Sequence, residues 1–166
     1  MIGDTRGGST GMPGDANDNQ ANEAMVRRRF AELDNGNFGI LDELFAPSYK
    51  LNLPGFGKPM NLAATKRFYQ SFYGAFAGLK HTIVEQVSAG NQVVTRWTAR
   101  GTHKGEWMGV KPTARRVSFG GINIYTIDKG KFVSSQVNWD LLGILQQIGG
   151  VKARPPVSGS ARARRT

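Results

Sequence analysis

The run Phe132-Val-Ser-Ser-Gln-Val-Asn-Trp-Asp140 alternates with a period of two and ends on a carboxylate. Strand side chains point alternately to opposite faces. One face therefore reads Phe132, Ser134, Gln136, Asn138 and Asp140, and the other Val133, Ser135, Val137 and Trp139. A row of small polar groups on a concave face wants water or a ligand with matching donors and acceptors. A carboxylate closing such a row has the chemistry of a general base or a hydrogen-bond acceptor. Asp140 also precedes Leu-Leu-Gly-Ile-Leu-Gln-Gln-Ile-Gly149, where aspartate is a favoured helix N-cap, and the local sequence by itself favours the cap. The two roles conflict: a cap stabilises the ionised carboxylate, whereas a base beside an apolar pocket needs a raised pKa.

The chain has two histidines. His103, in Gly101-Thr-His-Lys-Gly105 at a strand end, reads equally as a pocket polar group or a surface residue; His81 opens a strand and reads as peripheral. Two isolated histidines without clustered carboxylates predict no metal site. Cysteine is absent, which excludes a disulfide framework and a thiolate nucleophile. No G-x-S-x-G, P-loop or dinucleotide fingerprint occurs, so hydrolase-triad and nucleotide chemistry have no support.

These residues need elements to position them. Residues 1–18 are rich in Gly, Ser, Asp and Asn and are expected to be disordered, as is the basic tail 151–166 with its Pro pair and arginines. One folded body is expected over 19–150. It opens with a helix over 19–34, stopped at Asn35-Gly36, and a short helix over 39–45 ended by Pro47. A strand over 48–53 and a helix over 61–76 follow. The latter carries Leu62, Phe68, Phe72, Tyr73 and Phe76, an aromatic stripe at helical spacing that reads first as core. Strands are expected over 80–88, 92–103, 115–127 and 131–139, with turns at Gly90-Asn91 and Asp128-Lys129-Gly130, before a closing helix over 140–148 capped by Gly149-Gly150. Helices first and an antiparallel meander after predict an α+β fold, a curved sheet wrapped on the N-terminal helices around a cone that can hold a ligand. Pairing Ile127 with Lys131 places Ile122, Ile124 and Thr126 on the polar face of the last strand as the pocket wall; a one-residue slip would place Asn123 and Tyr125 there instead.

Net charge is +10, but the last 16 residues hold Lys152, Arg154, Arg162, Arg164 and Arg165, half of that excess. A basic surface attracts polyanions without recognising them, and no nucleic-acid-binding motif is present. No apolar stretch has membrane-spanning length and the N-terminus is not a signal peptide, so a cytoplasmic location is expected.

Five segments carry a family resemblance: Phe38-Gly-Ile-Leu-Asp-Glu-Leu-Phe-Ala-Pro47, Gly101-Thr-His-Lys-Gly-Glu-Trp-Met-Gly109, Lys111-Pro-Thr113 with Val117, Gly130-Lys131-Phe132, and Trp139-Asp-Leu-Leu-Gly-Ile-Leu-Gln-Gln-Ile-Gly149. The body resembles the SnoaL-like polyketide cyclase (ester cyclase) family, in the cone-shaped superfamily of nuclear transport factor two and ketosteroid isomerase. The resemblance implies a ring closure without metal or organic cofactor, in which an aspartate at the end of the last strand takes an acidic proton from a bound polyketide. That position falls on Asp140. Asn138 stands where many members carry histidine, and it can hydrogen-bond an enolate oxygen but cannot shuttle protons. Asn138, Gln136 and His103 would then orient the substrate, and Trp97, Trp107, Tyr73, Phe72 and Ile124 would wall the pocket. The alternatives are epoxide-opening, hydroxylase-like or pericyclic chemistry in the same pocket, or a non-catalytic binding or dimerisation module. The outer face of Val133, Val137 and Trp139 predicts a homodimer through the sheet.

Overall fold

The computed structural model describes residues 16–152. The expectations for 1–15 and 153–166 lie outside the described residues. Helix α1 (Ala16–Asp34) starts three residues earlier than expected, so 16–18 are helical. Helix α2 (Ile40–Leu44) runs directly into strand β1 (Phe45–Asn52), which begins before Pro47. A two-residue strand β2 (Met60–Asn61), not expected from sequence, leads into helix α3 (Leu62–Ala75), whose N-cap Asn61 accepts a 2.9 Å bond from the Ala64 amide. The meander is β3 (Phe76–Ala89), β4 (Gln92–His103), β5 (Arg116–Asp128) and β6 (Lys131–Trp139), closed by helix α4 (Leu141–Ile148).

The six strands form one mixed sheet in the order β2-β1-β6-β5-β4-β3, with β1 parallel to β6 and the other pairs antiparallel. The result is the expected α+β cone. Register breaks in β3, between Ala77 and Lys80 and between Ile83 and Glu85, supply bends that strand pairing alone does not. Helices α1 and α3 lie in the hollow so formed. Phe45, Tyr49, Tyr125 and Phe132 pack at one end of it, Phe45 edge to face on Tyr49 and the other pairs tilted, with ring centroids 4.5–5.0 Å apart between neighbours. Among the described residues no helix is long and apolar enough to cross a membrane.

The β5–β6 hairpin corrects the expected pocket wall. Lys129 and Gly130 both take positive φ, giving a two-residue turn that pairs Asp128, not Ile127, with Lys131. A bulge then shifts the register, so that Ile127 faces Phe132 but Thr126 faces Ser134. Ile122, Ile124 and Thr126 do share a face with Ser134, Gln136 and Asn138, as expected, but that face is the outer one. The inner face is Asn123, Tyr125, Ile127, Ser135, Val137 and Trp139, and the bulge turns Phe132 inward to join it. The reason is area: Tyr125, Trp139 and Val137 bury more apolar surface than Gln136 and Asn138, and the strand turns that face to the core. The expected outer patch is corrected by the same fact, since Val137 and Trp139 point inward and Val133, skipped by the bulge, is half-buried.

Candidate active site

A cavity opens between α1, α3 and the concave side of the sheet. Its walls are Arg29 and Phe30 from α1, Phe68, Tyr69, Phe72 and Tyr73 from α3, and His81, Trp97, Asn123, Val137 and Trp139 from the strands, with Leu51 and Leu53 at the mouth of β1. The α3 residues stand at i, i+1, i+4 and i+5, one face of a helix. The cavity, counting its open mouth, encloses about 430 Å³. Aromatic rings fill most of the cone and narrow the cavity to a slot. Gly121 makes room for the deepest ring: a Cβ there would lie 2.5 Å from Trp97 Cζ2. Trp97 is then fixed by a 2.8 Å bond from Nε1 to Asn123 Oδ1, and Asn123 Nδ2 donates to the Tyr125 hydroxyl at 2.6 Å.

The strongest polar constellation in the wall is a pair the sequence reading passed over. Asp34, the last residue of α1, accepts from His81 Nδ1 at 2.6 Å, from the His81 backbone amide at 2.6 Å and from the Tyr73 hydroxyl at 3.0 Å. Both side chains are withdrawn from water, with 7% and 6% of their areas exposed. His81 is therefore not peripheral; Phe30 and Trp97 pack against its ring at 5.1 and 5.0 Å. Burial pushes the His81 pKa below its ordinary value, and hydrogen bonding to Asp34 opposes this without overcoming it. Asp34 is pulled the other way: burial raises its pKa, but the bonds from His81 and Tyr73 outweigh burial and hold it below the ordinary carboxylate value. At neutral pH the pair is a carboxylate and a neutral imidazole whose proton sits on Nδ1. Nε2 carries no hydrogen bond within the described residues.

The expected site residues separate. Trp97, Tyr73 and Phe72 line the cavity. Trp107 packs behind it, against Phe72 and Trp139 at 5.5 and 5.8 Å. His103 is fully buried away from the cavity, its ring tilted against Phe76 at 5.4 Å with Nδ1 3.0 Å from the Thr113 hydroxyl; burial lowers its pKa. Ile124, Gln136 and Asn138 lie on the outer face, the last two along a shallow groove with Asn52, Pro54 and Pro59. Asp140 is exposed and caps α4, accepting from the Gly143 amide at 2.8 Å, and it does not line the cavity although its neighbour Trp139 does. Among the described residues no three His, Asp or Glu side chains gather as a metal ion would require. Sequence did hold a signal for His81, which stands in an alternating strand, but its partner is 47 residues away and only the fold joins them.

The family model for SnoaL-like polyketide cyclases matches residues 24–148. No curated protein matches the chain. Solved structures with the same fold include AclR, a proposed hydroxylase from Streptomyces galilaeus, at 21% identity and a TM-score of 0.76, covering 84% of this chain and 87% of that one. A proposed SnoaL-like polyketide cyclase from Jannaschia sp. CCS1 follows at 19% identity and 0.74, covering 80% and 94%. IdmH, a proposed polyketide cyclase from Streptomyces antibioticus, is 28% identical with a TM-score of 0.70, covering 77% and 98%.

Proposed function

The chain belongs to the SnoaL-like polyketide cyclase family, and on that footing we propose that it closes a ring in a polyketide-type small molecule held in the cone, without a cofactor, with His81 and Asp34 as the proton-transferring pair. The observation that carries this is the placement of His81 in the cavity wall with Nδ1 committed to Asp34. A hydrogen on a carbon between two carbonyls is acidic enough for one positioned base. Neutral Nε2 takes that proton, and the resulting enolate carbon attacks a carbonyl of the same folded chain. One C–C bond forms, and His81 returns the proton to the new alkoxide. The aromatic walls hold the chain folded, which converts a rare encounter into an intramolecular step.

The family resemblance gives the base role to Asp140. To take it, Asp140 would have to release the Gly143 amide and turn into the cavity. The discriminating experiment compares His81→Gln with Asp140→Asn in single-turnover cyclisation of a linear poly-β-ketone. His81→Gln is expected to lose about 10²–10⁴ in rate. Asp140→Asn keeps a capping side chain and is expected to stay within a few-fold of wild type, while Asp140→Ala costs about 1 kcal/mol of stability. The reverse pattern returns the base to Asp140. The small free volume of the slot favours a second reading, a ligand-binding module; binding of the same poly-β-ketone with no turnover above buffer would establish it.

We also propose a homodimer through the outer sheet face. Val87, Val94 and Ile124 are cross-strand neighbours there, Ile122 adjoins them, and all four are exposed. A contiguous apolar strip of this kind on a sheet calls for a cover.

A further inference from the structure

Arg29 projects from α1 into the cone and is 3% exposed. A guanidinium keeps its charge at any ordinary pH, so the interior holds a permanent cation. Among the described residues its guanidinium makes one hydrogen bond, from a terminal nitrogen to the Tyr69 hydroxyl, and its Nε is buried with no acceptor. No carboxylate of the described residues lies within salt-bridge distance of it. Asp34, on the same helix, commits its oxygens to His81 and Tyr73. What surrounds the cation is aromatic: Phe30, Tyr69 and Tyr125 offer ring faces 4.5, 4.9 and 5.8 Å from its central carbon. Rings supply attraction but no acceptor for the remaining N–H groups. A buried ion with open donors is expensive unless something pairs with it.

Arg29 also lines the cavity that His81 lines. We infer that Arg29 is the anion-recognising group of this cavity and that the ligand presents it with a planar oxyanion, a carboxylate or the enolate of a β-dicarbonyl. Both match the fork of a guanidinium, which binds paired oxygens side by side. The inference rests on the reading of the cone as the substrate cavity and adds the charge that substrate carries. In the ring closure, Arg29 holds the enolate oxygen while His81 holds the proton. Tyr69, bonded to Arg29 and stacked on it, is a positioning residue that fixes the guanidinium plane.

Trp97 and Trp139 line the cavity and report occupancy by their fluorescence. The test titrates the full chain with benzoate and with its neutral isostere benzamide. Benzoate is expected to bind about ten- to a hundredfold tighter, the range of a charge-assisted hydrogen bond, and Arg29→Gln is expected to bring the two to parity. Should Arg29→Gln not fold, Arg29→Lys serves, because it keeps the charge but not the fork; benzoate then weakens several-fold and benzamide does not. Benzoylacetone distinguishes the two oxyanion sources, since its enolate absorbs in the near ultraviolet. Uptake as enolate at a pH where the free probe is neutral identifies the enolate, and benzoate preference without it identifies the carboxylate. Equal binding of benzoate and benzamide by the wild type, binding of neither, or a preference that survives Arg29→Gln would overturn the inference. A protein that prefers benzoate but closes no ring keeps the anion site and loses the cyclase reading; one that closes rings yet ignores probe charge does the opposite.

Discussion

Replacing Asp34 by asparagine changes one oxygen to an amide nitrogen and tests the proposed proton-transferring pair without any substrate. Oδ2 accepts from the His81 backbone amide and Oδ1 from the His81 ring and from Tyr73. The asparagine NH₂ cannot face the backbone N–H, since two donors would meet. It must face the ring, where it donates to Nδ1 and drives the imidazole proton to Nε2. The base then presents a hydrogen to the cavity in place of a lone pair. Three bonds also lose charge assistance inside a cavity wall; hydrogen bonds to charged groups are each worth about 1.5–3 kcal/mol against about 1 for neutral ones, so the loss sums to about 1.5–6 kcal/mol. For a chain of this size that lowers the melting temperature by roughly 3–24 °C. Ring closure falls by about 10²–10⁴. Nitrogen-15 shifts of the imidazole read the tautomer directly, and with only two histidines in the chain the assignment is simple. If the variant kept the proton on Nδ1, or melted within a degree of wild type, the proposed role of Asp34 would be wrong.

Stability should fall as the solution is made acidic, in two stages. His81 and His103 have pKa values below 6.5 in the folded protein, so the unfolded chain binds their protons first as pH drops through that value. His81 alone contributes a slope of up to about 1.4 kcal/mol per pH unit there; a melting temperature that stayed flat from pH 7.5 to 5 would contradict the burial argument. Asp34, whose pKa lies below 3.8, adds its stabilisation above that value and loses it only at still lower pH, so Asp34→Asn should flatten the acid limb. On the outer sheet face, Ile124→Glu should shift a dimer to monomer in light scattering while leaving the subunit's melting little changed. A wild-type monomer at micromolar concentration would refute the dimer.

The element order and most boundaries are legible in the sequence because they depend on local periodicity and local punctuation. Strands β4 and β6 fall where alternation and turn residues put them, and Asn35-Gly36 and Gly149 end their helices as backbone breaks should. Strand β2 has only two residues and exists by pairing with Lys50 and Leu51, so no local pattern announces it. Strand β3 begins four residues before its alternation does, because Phe76 and Ala77 are held by partners on β4. Asp34 and His81 are unremarkable where they stand in the chain. Their pairing depends on α1 ending against β3, a tertiary event.

The face of β6 is the instructive error, because alternation gives two faces and not the choice between them. Gln136 and Asn138 made one face look like a ligand wall, while Val137 and Trp139 made the other look like a dimer seam. Burial decides by apolar area, and the cavity lies on the side of Trp97, Phe119, Tyr125 and Trp139. A single bulge then lets Phe132 follow the aromatic face although it starts on the polar one. The consequence reaches the chemistry. With the inner face of the meander aromatic, β6 gives the cavity walls but no acid or base. The groups that can carry charge or move a proton come from the end of α1 and the early part of β3, as Arg29, Asp34 and His81. A helix end and a strand start that look structural in the sequence thus supply the ionisable groups of the cone, while the polar face of β6 becomes its outer surface.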